Sequence, residues 1–309
     1  MTREGIREAL LREGIVCDGD GLRVEARDGT TMAVLPRDRM AWFADGERGR
    51  RRLERERRVL RLLEQRCSFL APRVTFVSPD GSFDVRASVP GACIPWKLHE
   101  RAKADPEFAG RVGRELGAIL AEQHTRVLAT HVAGWLPTRP AWPEPSAWIR
   151  ERMPRVTDDL RLRDAIDALL ARYDAVDVDD VDRVLLHGDV GFHNIAVDAE
   201  THQVRGIFDY EDACWWDRHH DLRYFLFDVE SDAMLDAALA IYEPATGRSV
   251  SRERVVLYNA VSAVSFLALR AGVPPDAFSC GRTLEQDLGW TRAALGRAGY
   301  RPERSLPRS

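Results

Sequence analysis

Lysine is almost absent from this sequence, which has only two, Lys97 and Lys103, among its 45 basic residues. Any cation that the chain needs before Lys97 must therefore be an arginine, whose planar guanidinium binds anions differently from an ammonium group. The sequence also has no strong excess of positive or negative charge, because its 45 basic and 49 acidic residues nearly balance to a formal net charge of −4. Dedicated nucleic-acid-binding proteins are strongly basic, so we expect no nucleic-acid partner.

Cysteine and long apolar runs are scarce as well. The five cysteines are scattered without a C-x-x-C pair, which argues against a disulfide framework and favours a reducing compartment. The first residues are charged and do not resemble a signal peptide. The longest apolar stretch, Val255 to Leu269, is interrupted by polar residues and predicts a core helix. We therefore expect a cytoplasmic globular protein with no membrane partner.

The hydrophobic pattern changes along the chain. Residues 1–90 contain short strand-like runs between turn signals and one helix rich in arginine and glutamate at 47–66. Helical periodicity dominates 91–299, and the polar residues 300–309 are expected to be a disordered tail. The sequence thus predicts an α+β protein with a small β-rich N-terminal lobe, one key helix in it, and a larger, mainly helical C-terminal lobe.

The most informative segment is a loop, HGDVGFHN, between a predicted pair of strands at 184–187 and 194–209, with a turn near 199–201. It presents Asp189 and, five residues later, Asn194. Asp209 ends the returning strand in the sequence FDYE, and a hairpin of this length brings it beside Asn194. Amide and carboxylate oxygens are ligands that Mg²⁺ prefers, for example when it is carried by nucleotide phosphates. Asp189 is then free to accept or orient a hydroxyl proton.

The motif H-G-D-x4-N followed by F-D-Y-E resembles the aminoglycoside phosphotransferase family, a relative of choline kinases and protein kinases. The resemblance implies a protein-kinase-like two-lobed fold and transfer of the γ-phosphoryl group of ATP or GTP to a hydroxyl of a small molecule, such as an aminoglycoside or another antibiotic. It implies that Asp189 is the catalytic base and that Asn194 and Asp209 bind Mg²⁺. The sequence DRHHDL is similar to the family segment whose last aspartate, here Asp221, braces the catalytic loop, and His187 is expected to be structural.

The N-terminal lobe resembles the family less closely. Glu56 is similar to the helix glutamate that pairs with a strand lysine above the nucleotide phosphates, but Val34 stands where relatives have that basic residue. Arg37, or Arg39 beside it, is the candidate replacement, since arginine binds phosphate bidentately. The backbone of Ala87 to Val89 is similar to the connector that binds the nucleotide base.

Two other interpretations remain open. A missing lysine and a poor Gly-rich loop at 17–21 would suit a catalytically impaired, pseudokinase-like protein that binds nucleotide or ligand without turnover. A hydrolase dependent on Zn²⁺ or Mn²⁺ is the third interpretation. We expect it least, because adjacent histidines point in different directions and because it leaves Asn194 unexplained. Its ligands would be His187, Asp189, His219, His220 and Asp221.

Overall fold

The computed structural model describes residues 1–17, 21–27, 29–227, 232–279 and 281–300. Its N-terminal part is an antiparallel sheet of five strands in the order β1-β2-β3-β5-β4. A tight turn at Gly29 joins β1 to β2, and a short turn joins β2 to β3. The strands are β1 (Val24–Arg27), β2 (Thr30–Leu35), β3 (Arg39–Ala44), β4 (Arg73–Val77) and β5 (Phe83–Ala87).

The two faces of this sheet have different chemistry, because alternate strand residues point to opposite sides. One face is apolar and packs on the N-terminal helix α1 (Arg3–Arg12). The opposite face carries Trp42 and Arg86 and is covered by helix α2 (Gly46–Arg66), whose glutamate Glu56 contacts Arg86. The apolar face consists of Ala33, Leu35, Ala41, Phe43, Phe83 and Val85.

The rest of the chain is mainly helical. The helices are α3 (Pro95–Ala104), α4 (Pro106–Arg126), α5 (Ala129–Val132), α6 (Ser146–Arg152), α7 (Leu160–Asp174), α8 (His219–Leu222), α9 (Tyr224–Phe227), α10 (Asp232–Thr246), α11 (Arg252–Leu269) and α12 (Leu284–Arg297). Helices α4 and α10 lie in close contact because α4 has glycines on the facing side. A Cβ atom on Gly113 would lie 2.2 Å from the carbonyl oxygen of Met234.

Helix α11 is the core helix that the interrupted apolar run predicted. The segment Arg252–Gly272 is long and apolar enough to cross a membrane. In the structure, however, Leu257, Val261, Val264 and Leu267 are buried in a core shared with α7 and α12. Its apolar surface is therefore already covered by the protein itself.

Two small strand pairs lie within the helical part. Strand β6 (Arg183–Leu186) pairs with β9 (Cys214–Asp217), and β7 (Ile195–Val197) pairs with β8 (Val204–Ile207). The predicted turn near 199–201 is present, but the predicted pairing of 184–187 with 194–209 is wrong. The second segment folds back on itself instead, because the Asp198 carboxylate accepts N–H groups within the turn and closes a hairpin.

The β7–β8 hairpin contacts the N-terminal part of the chain at two points. Leu70, just after α2, forms a parallel bridge with Gly206, and Ala92 pairs with Val197. A Cβ atom on Gly206 would lie 2.1 Å from the carbonyl oxygen of Leu70, so only glycine permits this approach. Leu70 precedes β4 and Ala92 follows β5, so the hairpin is attached to the chain at both ends of this strand pair.

Two expectations fall on residues that are not described. The central residues of the weak Gly-rich loop candidate, 18–20, lie outside the described ranges. So do residues 301–309 of the expected tail, whereas the first residue of that tail, Tyr300, places its hydroxyl 3.4 Å from the carbonyl oxygen of Ala168.

Candidate active site

Asp221 holds the loop that contains the HGD sequence. Its Oδ2 accepts the backbone N–H of His187 at 2.8 Å, and its Oδ1 accepts that of Gly188 at 2.9 Å. His124 Nε2 lies 3.3 Å from the same carboxylate. Burial alone would raise the pKa of Asp221, but the hydrogen bonds from His124 and the loop amides hold it below its usual range. The loop is therefore fixed by an enclosed, ionised carboxylate.

His187 connects this loop to the segment that carries Asp209. Its Nδ1 accepts the N–H of Asp189 at 3.2 Å, so its Nε2 carries the proton and donates to the carbonyl oxygen of Phe208 at 2.9 Å. Burial lowers the pKa of His187, which favours the neutral ring. Both ring nitrogens are thus engaged by backbone groups, and the side chain has a structural position.

The carboxylate of Asp189 receives three hydrogen bonds. Tyr224 Oη donates to Oδ1, while His193 Nε2 and Asn194 Nδ2 each lie 3.0 Å from Oδ2. Burial would raise the pKa of Asp189, but the hydrogen bond and charge of His193, with that of Tyr224, hold it well below its usual range. Asp189 is therefore an ionised acceptor, the state that a hydroxyl-orienting group requires. Tyr224 was not predicted from the sequence, although it lies only three residues after Asp221.

Asn194 and Asp209 are brought together by the β7–β8 hairpin. The N–H of Phe208 donates to the carbonyl oxygen of Asn194 at 2.9 Å, immediately beyond the last paired residues of the two strands. Asp209 follows with a φ of 72°, a left-handed conformation that turns its side chain out of the strand alternation. Aspartate tolerates this conformation better than most residues, which explains how a side chain at a strand end can be redirected.

The electrostatics of Asp209 fit a divalent cation. Burial raises the pKa of Asp209 and the nearby carboxylates of Glu211 and Glu56 add to this effect, which together bring the pKa to about 7. The amide nitrogen of Asn194 donates to Asp189, which leaves its Oδ1 directed away from that residue. Oxygen donors in a site of excess negative charge are what Mg²⁺ prefers. The residues present therefore fit the metal that the sequence predicted at Asn194 and Asp209.

Glu56 has a cationic partner, but it is not the one considered from the sequence. Arg86 Nη1, on β5, lies 2.7 Å from Glu56 Oε1. Val34 lies on β2 rather than on the third strand, so the comparison at that position was wrong. Arg37 is exposed in the turn between β2 and β3, with a φ of 63°, and Arg39 Nε donates back to the carbonyl oxygen of Pro36 at 3.1 Å. The structure does not bring Arg37 to Glu56.

Two further arginines of α2 hold the segment after Asp209. Arg55 Nη2 donates to the carbonyl oxygen of Glu211 at 3.0 Å, and Arg52 forms an ion pair with the Glu211 side chain. Sequence analysis missed both, because a charged helix face gives no sign of which residues it meets. Helix α2 is thus joined directly to the predicted metal-binding segment.

The connector residues Ala87 to Val89 include the last residue of β5 and the two residues that follow it. Ala87 pairs with both Arg39 and Arg73, while the N–H of Ser88 donates to the carbonyl oxygen of Asp38 at 2.8 Å. The connector is therefore held by backbone hydrogen bonds to the β2–β3 turn.

The contacts of His219 and His220 do not favour the hydrolase interpretation. The ring of His220 contacts the Trp142 carbonyl at 2.8 Å and Arg223 at 2.7 Å, and His219 contacts Asp217 at 2.5 Å and the Ser251 N–H at 3.1 Å. Both nitrogens of each ring are therefore engaged by protein groups. The carboxylates near His219 are also neutralised, because arginines form ion pairs with them. These pairs are Arg218 with Asp182, and Arg254 with Asp182 and Asp217.

Several known structures resemble the whole chain in fold. The GDP complex of wild-type aminoglycoside 2′-phosphotransferase-IIIa has a TM-score of 0.67 at 17% identity, over 97% of this chain and 98% of that one. Macrolide 2′-phosphotransferase MphH from Brachybacterium faecium has a TM-score of 0.63 at 18% identity, covering 97% and 100%. Spectinomycin phosphotransferase APH(9)-Ia, with ADP and spectinomycin, has a TM-score of 0.65 at 11% identity, covering 97% and 98%.

No curated protein sequence matches the chain. The profile of the phosphotransferase enzyme family, in contrast, matches residues 32–254, a range that contains strands β3 to β5, the HGD loop, both predicted metal ligands and the brace. The fold is accordingly the protein-kinase-like, two-lobed α+β fold that the sequence predicted. From this match and this geometry together, the chain belongs to the phosphotransferase enzyme family and is a phosphotransferase that acts on hydroxyl groups.

Proposed function

We propose that this protein transfers the γ-phosphoryl group of ATP or GTP to a hydroxyl of a small molecule in the cytoplasm. The observation that carries the proposal is the convergence of Asp189, Asn194 and Asp209 on one hairpin and loop, fixed by Asp221. The arrangement supplies a hydroxyl-orienting carboxylate next to oxygen ligands for a metal. These are the parts that phosphoryl transfer requires, because its catalysis depends mainly on positioning and charge neutralisation.

Each part of the chain has a role in this proposal. Residues 1–90 bind the nucleotide, with the backbone of Ala87 and Val89 contacting the base and Glu56 fixed above the phosphates. Residues 91–299 carry the catalytic loop and the acceptor. Asn194 and Asp209 hold Mg²⁺, which neutralises charge on the phosphate chain when bound. Asp189 accepts the hydrogen bond of the acceptor hydroxyl and aligns its oxygen with the γ-phosphorus.

The acceptor is, in our proposal, an antibiotic-like molecule with several hydroxyls, since the similar structures are aminoglycoside, macrolide and spectinomycin phosphotransferases. We also propose that a cluster of aromatic rings in the helical part binds an apolar face of the acceptor. The Trp142 carbonyl contacts His220, next to the Asp221 brace, and its ring lies 4.7 Å from that of Phe266. Trp290 follows at 5.9 Å from Phe266, and the Arg282 guanidinium lies 4.4 Å from the Trp290 centroid.

A catalytically impaired binding protein is the second candidate. It is favoured by one observation, the presence of Trp42 rather than a basic residue in the middle of β3. It predicts nucleotide binding without nucleotide turnover for any acceptor.

The decisive experiment is a calorimetric titration of ATP and of GTP into metal-stripped protein, with and without Mg²⁺. We expect one nucleotide to bind tightly only when Mg²⁺ is present, and Asp209→Ala to abolish that dependence. Asp180→Ala, at a fully exposed aspartate, is the matched control. Absence of binding by the unchanged protein would refute the proposal.

A screen of hydroxyl acceptors by ADP or GDP release then separates the two candidates. Aminoglycosides, macrolides and other polyhydroxylated antibiotics form the first panel. Product formation with any of them supports the kinase, and protection of a susceptible bacterium from that compound would test a role in antibiotic resistance. Nucleotide binding without release for every acceptor would favour the impaired binding protein.

A further inference from the structure

The face of the N-terminal sheet that carries Trp42 and Arg86 must supply positive charge if it is to bind a triphosphate, but β3 has the uncharged Trp42 at its centre on this face. The strand register shows which residues share that face with Trp42. Arg27 pairs with Thr30, and Thr30 pairs with Ala44, two residues beyond Trp42. Since side chains alternate along a strand, Arg27 and Trp42 point to the same side, as does Arg86 through its own pairing with Met40.

Trp42 is flanked by the guanidinium groups of both arginines. The Cζ atom of Arg86 lies 5.4 Å from the ring centroid, and that of Arg27 lies 5.8 Å from it. Contacts of this kind hold a cation by its attraction to the face of the ring. The Trp42 indole thus contacts two arginines, at the strand position where one basic residue could have stood.

The two arginines differ in what else they contact. Arg86 is 3% exposed and is bound by two carboxylates, with Nη1 at 2.7 Å from Glu56 and Nε at 2.7 Å from Asp84. These carboxylates raise the pKa of Arg86 although burial alone would lower it. The charge of Arg86 is therefore already neutralised by carboxylates of the protein, and it holds Glu56 in place. A buried, doubly paired guanidinium is suited to positioning rather than to binding an incoming anion.

Arg27, in contrast, has an accessible charge. Its side chain is 43% exposed and its ion pair is a loose one, 3.5 Å from the equally exposed Glu25. Such surface pairs stabilise little and exchange readily for a better anion. Arg27 is also the last residue of β1, beside the turn at Gly29.

We propose that Arg27, supported by the Trp42 ring, binds the nucleotide phosphates in this protein, while Arg86 only positions Glu56. This inference rests on the proposed function. The division separates two tasks between two side chains: one fixes helix α2, and the other contacts the β- and γ-phosphates as a bidentate donor. In this proposal Arg27 takes the role that the sequence suggested for Arg37, which lies beyond the other end of β2.

The test compares Arg27→Gln with Arg23→Gln, a matched control at an arginine that is 76% exposed on the same segment. Calorimetry gives the dissociation constants of Mg²⁺–ATP and Mg²⁺–GTP, and of adenosine and guanosine, for each protein. We expect Arg27→Gln to weaken triphosphate binding at least about tenfold and to leave nucleoside binding unchanged, as loss of a charge-assisted phosphate contact requires. Arg27→Lys should recover part of the loss, and Arg37→Gln should have no effect.

Equal triphosphate affinity in Arg27→Gln and the unchanged protein would overturn the inference while leaving the proposed function intact. Equal weakening of triphosphate and nucleoside would also overturn it, because that result indicates damage to the sheet. A tenfold loss in Arg37→Gln would assign the contact to the turn instead. If the unchanged protein binds neither nucleotide, the proposed function itself fails, and the inference with it.

Discussion

Glu56 of α2 and Arg86 of β5 form a buried ion pair, with 2.7 Å between Oε1 and Nη1 and both side chains less than a tenth exposed. The partner of the helix glutamate therefore comes from β5, which lies two strands away in the sheet from Val34, the position considered from the sequence. The pair fixes α2 against the face of the sheet that carries Trp42, with an arginine in place of the lysine that pairs with this glutamate in the related kinases.

Loss of Arg86 is expected to destabilise the fold. Arg86→Met leaves Glu56 and Asp84 buried without their shared cation, which costs about 3–5 kcal/mol. Urea unfolding measures the change, and Arg73→Met is the control, since Arg73 makes only an exposed pair with Glu64 at 3.7 Å. A change below about 1 kcal/mol in Arg86→Met would show that the pair contributes nothing net.

Replacement of Asp189 should affect turnover rather than binding. Asp189→Asn keeps the size of the side chain but removes the ionised acceptor, so kcat is expected to fall about 10²–10⁴-fold, as for loss of a general base. Nucleotide affinity should stay within about twofold. Asp180→Asn, at a fully exposed position, should change neither quantity. If Asp189→Asn turned over normally, the hydroxyl would have to be oriented by another residue.

The raised pKa of Asp209 predicts a dependence of stability on pH. A carboxyl group whose pKa is about 7 in the folded protein, against 3.8 ordinarily, favours folding in its protonated form. That contribution is fully present below about pH 4 and is lost as the pH rises through about 7. In metal-free protein, Asp209→Asn should therefore be more stable than the unchanged protein at pH 8 and equally stable near pH 4.

Thermal unfolding across this pH range tests the prediction. Adding Mg²⁺ at pH 8 should reduce the difference between the two proteins, because the cation stabilises the ionised carboxylate. An Asn variant that is equally stable at all pH values would show that Asp209 ionises without cost.

The packing of α4 on α10 predicts opposite effects for two glycines of one helix. Gly113→Ala places a Cβ atom 2.2 Å from the Met234 carbonyl oxygen, which only a backbone shift can relieve, at a cost of about 1–3 kcal/mol. At Gly110 the nearest atom is the flexible end of Arg114, at 3.5 Å. Gly110→Ala should therefore be neutral or stabilise by about 0.5–1 kcal/mol. Equal stabilities of the two variants in urea would contradict this account.

The loop and the hairpin of the candidate site could be predicted from the sequence because their residues lie close together in the chain. Asp189, Asn194 and Asp209 occupy one loop and one hairpin, so their spacing alone indicates that they meet. The N-terminal part could not be predicted in the same way. Its contacts depend on strand order and register. Because residues 15–17 form no strand, Val34 lies on the second strand of the sheet, and Arg37 lies in the turn after it.

Contacts between distant segments were missed for a related reason. Tyr224 reaches Asp189 across 35 positions, and Arg55 reaches Glu211 across 156. No local pattern distinguishes either residue, because a tyrosine is common in a short helix and an arginine is common on a charged helix. Such partners become visible only when the chain is folded.

The attachment of α2 to Glu211 through Arg52 and Arg55 has a consequence for how the protein is controlled. Kinases that are switched on and off move the corresponding helix, or the segment it meets, between two positions. Here ion pairs and hydrogen bonds within the chain itself join the helix to that segment and to the sheet. We therefore expect constitutive activity, with a rate set by the supply of nucleotide and acceptor and with no activation step or lag at the start of the reaction.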